Sequence, residues 1–572
     1  MSRLPQQDQV EAAVRCITQS FEDYNASFSD ITRRAKRRFL KNDRQGMTQD
    51  IHERFALYDA AIHSTIEQLE QVLVERLFSR AIWVLIRADF EKSVIAAADT
   101  KLYQTFFNTL SRRLFKTTGV DPAIEFTFKD RQASAKEAPA MTAHVMDLHD
   151  FDGLERLITD LAQPWSSSLA DLDFHRLSER LSRVCPSPSN ETTIEVLSPC
   201  FYRSGRAYRV GRICADGVHR PVVFAFKAVD GVVHCEAVLT QTREISILFG
   251  YTFNYFMADL EQVEPVIEFL SELLPSKPRA ELYTVLGRVK QGKTERYQSF
   301  FSYLLAHPQE KMTEAEGKKG MVMLVFTLPG YPVVFKLIRD RFAPSKTVTR
   351  TDVLDRYHLV FKHDRVGRLI DAQEFRELKL PVSSLSPDLL EILLAECSRL
   401  VEVIGDEVLI HHCYVERRVQ PLDVYLAAAD EAAALKAVID YGQAIKDLAR
   451  SNIFAGDLLP KNFGVTGSGR VIFYDYDELR LLNECRFRHW PQTDDDVMSM
   501  SSEPWFHVGE DDVFPEQFPL FMGLNKERLE VLTSQHGDLF DAQWWQRTQT
   551  QVARGQELDV PPFGAEARIT LG

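Results

Sequence analysis

Apolar positions near the start of the chain recur at spacings of three and four. Ile51, Phe55, Tyr58, Ile62, Ile66, Leu69, Leu73 and Leu77 would line one face of an α-helix, and similar periodicity runs over residues 1 to about 120. This predicts long amphipathic helices packed through the stripe, which carries no chemistry of its own. Periodicity is lost over 127–144 and over 184–191, where exposed connections are expected on either side of a short helical stretch. From Thr193 to Thr240 the apolar residues gather into short β-branched and aromatic runs, "AYRVGRI", "PVVFAF" and "GVVHCEAVL", divided by Gly and Asp turns; a small β-rich segment is predicted. Helical patterns return from about Asn254 to Leu305, broken at "LLPSKPRAE".

From about Lys311 the order becomes strand, turn, strand, helix, strand, helix and a final hairpin. "GMVMLVFTLPGYPVVFKLIRD" (320–340) holds two apolar runs joined by Leu-Pro-Gly-Tyr-Pro, a hairpin signal. "EVLIHHCYVERRVQPLDVYLAAA" (407–429) reads as strand, connector and helix, and "FGVTGSGRVIFYDYDE" as a second hairpin with Gly467, Ser468 and Gly469 at its tip. The expected fold class is α+β. A mainly α-helical unit with a small β-rich segment occupies 1–310, and a two-lobed catalytic domain with a C-terminal extension occupies 311–572.

Composition narrows the function. A chain of 572 residues is too long for one core and suggests roughly three to four domain-sized units. The formal net charge of −14 disfavours a nucleic-acid or anionic-membrane partner, both of which need a basic footprint. The longest uniformly apolar run, Ala81 to Ile86, falls far short of the ~20 residues that span a bilayer, and no apolar leader opens the sequence; a cytoplasmic protein is expected. The eight cysteines show no Cys-x-x-Cys pair and no zinc spacing, as expected of reduced thiols.

The chemistry gathers in "IFAGDLLPKNFGVTGSGRVIFYDYDELR" (453–480). Asp457 and Asn462 are five positions apart, and Asn462 and Asp475 thirteen. Protein kinases show these separations between the catalytic-loop aspartate, the catalytic-loop asparagine and the metal-binding aspartate after the next hairpin. Phosphoryl transfer needs metal ions clamped on the phosphates, and hard Mg²⁺ takes oxygen ligands. Asn462 and Asp475 fit that role, and Asp457 fits the base that orients and deprotonates the incoming hydroxyl. Asp-x-x-x-x-Asn is weak evidence alone, since both are ordinary turn residues. Lys336, inside the apolar run "VVFKLI", strengthens it: a charge there is costly unless paired, and a kinase places its phosphate-holding lysine at this point. Gly317 and Gly320, with Lys318 and Lys319, offer a glycine-poor phosphate loop just before that strand.

Together "GMVMLVFTLPG", "VFKLIRDRFAP", "KHDRVGRLIDAQEF", "YVERR", "FAGDLLPKNFGV" and "FYDYDE" resemble the bacterial isocitrate dehydrogenase kinase/phosphatase family, and "AELYTVLGRVKQGKTERY" and "SEPWF…DVFPEQF" extend the likeness on both sides. The resemblance implies a kinase-like catalytic domain behind a helical regulatory domain. It implies phosphorylation of a serine of isocitrate dehydrogenase by ATP, yielding ADP, with Mg²⁺ or alternatively Mn²⁺. Dephosphorylation by the same polypeptide, control of the glyoxylate bypass and regulation by AMP also follow from it. By position, nucleotide contacts fall on Ala315, Glu316, Gly317, Lys318, Lys319, Gly320, Met321 and Lys336. The family's active-site aspartate falls on Asp371, which spacing alone reads as a helix-boundary residue. A homodimer is left open.

Several departures from ordinary kinases stand out. No helix glutamate is available to Lys336 before Glu374, which leaves Asp352 or Asp355 as candidates. Ala-Gly-Asp replaces His-Arg-Asp, so control by loop phosphorylation is not expected. Asp475-Tyr476-Asp477 replaces Asp-Phe-Gly, and Asp477, supported by Glu478, is a candidate for orienting a hydrolytic water; the competing reading makes it the cap of a helix over "ELRLLN". "CFYRSGR" (200–206) has the Cys-x₅-Arg spacing of cysteine phosphatases but lacks their glycine pattern, so one shared metal-nucleotide site is expected for both activities. The remaining alternatives are a phosphotransferase for a small metabolite and a kinase-like regulator without activity.

Overall fold

The computed structural model describes residues 6–127, 138–165, 172–185, 192–215, 217–250, 254–317, 319–344, 348–363, 366–491, 506–555 and 559–569. Four long helices open it: α1 (Gln6–Leu40), α2 (Arg44–Leu73), α3 (Arg80–Val94) and α4 (Thr100–Phe115). Asp43 caps α2, accepting from the Gly46 N–H at 2.8 Å, and Arg38 donates to the buried Asp50 at 2.9 Å, which closes the α1–α2 hairpin. Ile51, Tyr58, Ile62, Leu69, Leu73 and Leu77 are buried as the stripe predicts, but Phe55 is 37 % exposed. The inward position beside it belongs to Arg54, whose guanidinium donates to the Phe256 carbonyl at 3.2 Å and lies 4.1 Å over the Phe28 ring.

A seven-stranded antiparallel sheet follows, built from β1 (Met141–Met146), β2 (Thr192–Leu197), β3 (Phe201–Arg203), β4 (Arg206–Ala215), β5 (Val218–Val229), β6 (Val232–Leu239) and β7 (Met257–Ala258). Strand β1 corrects the expected connection over 127–144. Its alternation is weak because it sits at the sheet edge, where it pairs with β2 from Met141↔Leu197 to Met146↔Thr192. Residues 128–137 of that connection, and 186–191 of the second one, lie outside the described residues. Helices α5 (Phe151–Ala162), α6 (Phe174–Ser182), α7 (Thr242–Leu248), α8 (Val263–Leu273), α9 (Arg279–Val285) and α10 (Val289–Ala306) complete this half. The far end of α10 leaves it: Phe300 and Leu304 enter the core of the next sheet.

That sheet has six strands, β8 (Thr313–Glu314), β9 (Met323–Thr327), β10 (Val333–Ile338), β11 (Gln373–Pro381), β12 (Val401–Ile404) and β13 (Glu407–Arg417). The order is β11-β13-β10-β9-β8, with β12 also on β13. Helices α11 (Arg350–His363) and α12 (Pro387–Glu396) belong to this lobe. The second lobe is built on α13 (Leu422–Ala428) and α14 (Glu431–Arg450), with β14 (Gln420–Pro421), β15 (Ile453–Phe454), β16 (Phe463–Val465), β17 (Val471–Phe473) and β18 (Arg480–Leu481). Buried Arg368 ties the segment after α11 to this lobe through Asp447 and Asp440, both at 2.8–2.9 Å.

The chain then returns to its first half. Residues 559–569 form a strap across the seven-stranded sheet: the Ile569 N–H donates to the Glu236 carbonyl at 3.1 Å, and the Ile569 carbonyl accepts from the Asp173 N–H at 3.0 Å. Asp559 is held by Arg206 at 2.6 Å, Lys227 at 2.7 Å and Arg44 at 3.4 Å. None of the eight cysteines forms a disulfide, and among the described residues no helix is long and apolar enough to cross a membrane.

Candidate active site

The loop that carries Asp457 and Asn462 leaves β15 through Gly456, which adopts φ +76°; a Cβ there would meet the Glu478 carbonyl at 2.2 Å, so a glycine is required. β15 pairs with β18, which carries the 477–478 turn back against this loop. Asp457 accepts from the Leu459 N–H at 2.9 Å, and its other oxygen lies 3.8 Å from Lys461 Nζ. Its side chain is 26 % exposed, so it can meet a substrate. Asn462 is buried; its side-chain amide donates to the Asp457 carbonyl at 3.3 Å, and its own carbonyl accepts from the Tyr474 N–H at 3.1 Å. The Tyr474 bond ties the segment that carries Asp475 to the loop of Asp457 and Asn462.

Lys336 reaches the same place from β10. Its Nζ donates to the Tyr474 carbonyl at 2.9 Å and pairs at 2.7 Å with Glu416, and both side chains are almost completely buried. Glu416 corrects the expected partner. The inward face of α11 is Val353, Tyr357 and Val360, all buried, and Tyr357 stacks on Tyr414 at 3.9 Å. Asp352 is spent on the start of that helix, accepting from Thr349 at 2.7 Å, and Asp355 lines a separate groove with Arg480 and Glu484. β10 and β13 pair Lys336 with Tyr414, which puts Glu416 two residues along on the same face. Burial raises the Glu416 carboxyl above its ordinary range against the pull of Lys336, with Asp475 and Asp371 adding to the rise.

Ala315, Glu316, Gly317, Lys319, Gly320 and Met321 form the turn between β8 and β9; Lys318 lies outside the described residues. Ala315 donates its N–H to the Val325 carbonyl at 3.0 Å. Gly317 takes φ +119° and faces Pro421 at the interlobe connection, and a Cβ on Gly320 would meet the Met323 carbonyl at 2.6 Å. Lys319 is exposed and pairs with Glu314 at 3.0 Å.

Asp371 lies within electrostatic range of Glu416. Buried, it pairs with Arg296 of α10 at 2.9 Å and accepts from Gln373 at 3.1 Å, and burial pushes its carboxyl above the ordinary range. It lines a cavity of about 360 Å³ between the two halves, with Lys277, Glu281, Arg243, Arg417 and Arg470. Nothing in the sequence pattern marks this cavity, whose walls come from segments over 200 residues apart. Sequence reasoning also missed Glu416 and Arg296; their one signal is a charge inside an otherwise apolar or amphipathic run.

Asp477 is buried, and its N–H points to Asp475 Oδ1 at 3.5 Å. It caps no helix: after the 477–478 turn the chain enters β18 and then a short 3₁₀ turn over Leu482–Glu484. Arg356 of α11 lies within electrostatic range of Asp477 and Glu478. The strand predicted at the start of 407–429 is β13, which runs through Arg417; the Val415 carbonyl accepts from Arg296 at 3.1 Å and the Arg418 N–H donates to the Pro332 carbonyl at 2.9 Å. Cys200 and Arg206 form no phosphate loop, since Arg206 is committed to Glu236 and Asp559 while Arg209 donates to the Cys200 sulfur at 3.3 Å.

The donor set fits a hard divalent ion completed by phosphate oxygens. The Asn462 amide nitrogen is taken by the Asp457 carbonyl, so its side-chain oxygen and the Asp475 carboxylate are the oxygen donors that would hold such an ion. Among the described residues no three His, Cys, Asp or Glu side chains form a metal site by themselves.

A two-lobed domain with a lysine on the third strand of its small lobe, and an Asp–Asn loop facing an aspartate after the next hairpin, defines a protein-kinase-like phosphotransferase. The family described as the isocitrate dehydrogenase kinase/phosphatase (AceK) kinase domain matches residues 310–565, and the corresponding regulatory domain matches 14–309. A relative named isocitrate dehydrogenase kinase/phosphatase from Xanthomonas euvesicatoria pv. vesicatoria (strain 85-10) is 44% identical over 98% of this chain and 97% of its own. One of the same name from Anaeromyxobacter dehalogenans (strain 2CP-C) is 40% identical over 97% of both. The chain belongs to the isocitrate dehydrogenase kinase/phosphatase family.

Proposed function

We propose that this protein transfers phosphate from ATP to a serine of isocitrate dehydrogenase, removes it again at the same site, and so sets flux between the citric acid cycle and the glyoxylate bypass. The observation that carries the reading is the convergence of Lys336, Asp457, Asn462 and the Tyr474–Asp475 segment through the hydrogen bonds above. Residues 311–572 act as the catalytic part and 1–310 as the regulatory part of a cytoplasmic enzyme.

Each residue then has a task. Lys336, fixed by Glu416, reaches the α- and β-phosphates, with the Ala315–Met321 turn closing over them. Asn462 and Asp475 would hold Mg²⁺ or Mn²⁺, whose charge offsets that of the phosphates when bound. Asp457 accepts the proton of the incoming serine hydroxyl, a contribution of roughly 10²- to 10⁴-fold. In the reverse direction the reactant is water, and Asp477, with Glu478 behind it, orients and deprotonates it. Asp371 is a positioning residue that steadies the wall between cavity and cleft through Arg296. The cavity beside it, with four cationic side chains and serine and threonine hydroxyls on its walls, suits AMP as an effector.

Incubation with γ-labelled ATP and purified isocitrate dehydrogenase tests the reading. Label on the dehydrogenase with loss of its activity, both reversed by the same protein, is expected; label on small molecules alone would replace it with a metabolite phosphotransferase.

A further inference from the structure

Lys336 takes its acid from a sheet strand, and α11 has none to offer it. The face that α11 turns to the sheet is locked by the Tyr357–Tyr414 stack and by the Tyr357–Tyr476 contact at 5.1 Å. A swing of that helix therefore cannot carry a carboxylate to or from the lysine. The residues on either side of Glu416 are instead gripped from the first half of the chain. Arg296 donates to the Val415 carbonyl at 3.1 Å, and Glu281 pairs with Arg417 at 3.3 Å. Arg296 is itself buried and anchored on Asp371 at 2.9 Å. Glu281 also holds Lys277 at 3.2 Å, so its carboxylate is shared between the two halves.

We infer that Glu416 is the positioning residue of the nucleotide clamp and that Arg296 and Glu281 set its place, so that a shift of α9 and α10 is felt as a change in the reach of Lys336. The geometry is direct: three consecutive residues of β13 face the regulatory half, the nucleotide lysine and the regulatory half again. Arg417, Glu281 and Asp371 also line the inter-half cavity, so an anion drawn to Arg417 would act one residue from Glu416. The inference rests on the phosphotransferase reading.

Calorimetric titration of the full chain with MgATP separates the two. Absence of binding by the wild type would remove the phosphotransferase reading itself. With binding present, Glu416→Gln, which keeps the shape and removes the charge, should weaken it by about tenfold or more, the order of one lost charge-assisted contact. Combined with Lys336→Met it should weaken binding no further than Lys336→Met does alone. Arg296→Gln and Glu281→Gln, outside the cleft, should each raise the Kd and KM for ATP by about threefold or more and leave kcat within about twofold. Unchanged affinity in Glu416→Gln, or losses that add in the double variant, overturns the role of Glu416. Wild-type affinity in both Arg296→Gln and Glu281→Gln overturns the grip, and these two variants decide the matter if Glu416→Gln does not fold.

Discussion

Asn462 turns its side-chain amide onto the main-chain carbonyl of Asp457, 3.3 Å away, so the residue proposed above as a metal ligand also fixes the loop that carries the proposed base. Asp457→Ala removes the base and leaves that bond in place, because the bond uses the backbone. Phosphorylation should fall by roughly 10²- to 10⁴-fold while MgATP still binds with near wild-type affinity. A single-turnover assay beside a binding titration checks this, and transfer at the wild-type rate would remove Asp457 from its role.

Lys336→Met should depress both activities together. Losing a buried charge-assisted contact to phosphate costs about 1.5–3 kcal/mol, roughly ten- to hundredfold in nucleotide affinity. Kinase and phosphatase rates measured across an ATP titration decide it; loss of one activity alone would contradict a single shared site.

Asp477 caps no helix and is buried with its N–H 3.5 Å from Asp475 Oδ1. Asp477→Ala should lower dephosphorylation by at least ~10²-fold while phosphorylation persists. Equal losses in both directions, read with the melting temperature, would assign it to metal binding or folding.

Cys200→Ser should leave phosphatase activity within about twofold of wild type, since Arg206 is ion-paired away from the thiol. Assay on phosphorylated isocitrate dehydrogenase measures it, and a large loss would revive the Cys-x₅-Arg loop.

Acid should release the C-terminal strap. Burial pushes the Asp559 carboxyl up, but Arg206, Lys227 and Arg44 outweigh it and hold it below its ordinary value of 3.8. A carboxyl lowered in the folded state contributes stability that is present in full above that ordinary value and lost as pH falls through and below it. Hydrogen exchange over 559–569 should therefore quicken in the wild type as pH drops from about 6 to about 3, after correction for the intrinsic rate. In Asp559→Asn it should be fast already at about pH 6; identical protection in both proteins would show that the three cations do not hold the strap.

What the sequence made legible was local. Both hairpins, the helical stripe and the loop that carries Asp457 and Asn462 follow from turn residues and periodicities within some 30 positions. Lys336 stood out because a lone charge in an apolar strand needs a partner. Its partner did not, because helix glutamates are the usual choice and Glu416 becomes a neighbour only through the register of β10 against β13. Phe55 was misplaced for a related reason: a stripe drawn from apolar residues alone overlooks Arg54, which is buried because carbonyls of other segments receive it. The cavity, the strap and edge strand β1 depend on contacts between distant segments, which periodicity does not encode.

The strap also fixes an order of events during synthesis. The sheet of the first half receives Ile569 and the Asp559 carboxylate only after the ribosome has made every residue of the catalytic lobes. Arg206 and Lys227 therefore wait, without that counter-charge, through the translation of more than 300 further residues, at 5–20 residues per second a delay on the order of half a minute. The nascent regulatory half emerges first and is finished last.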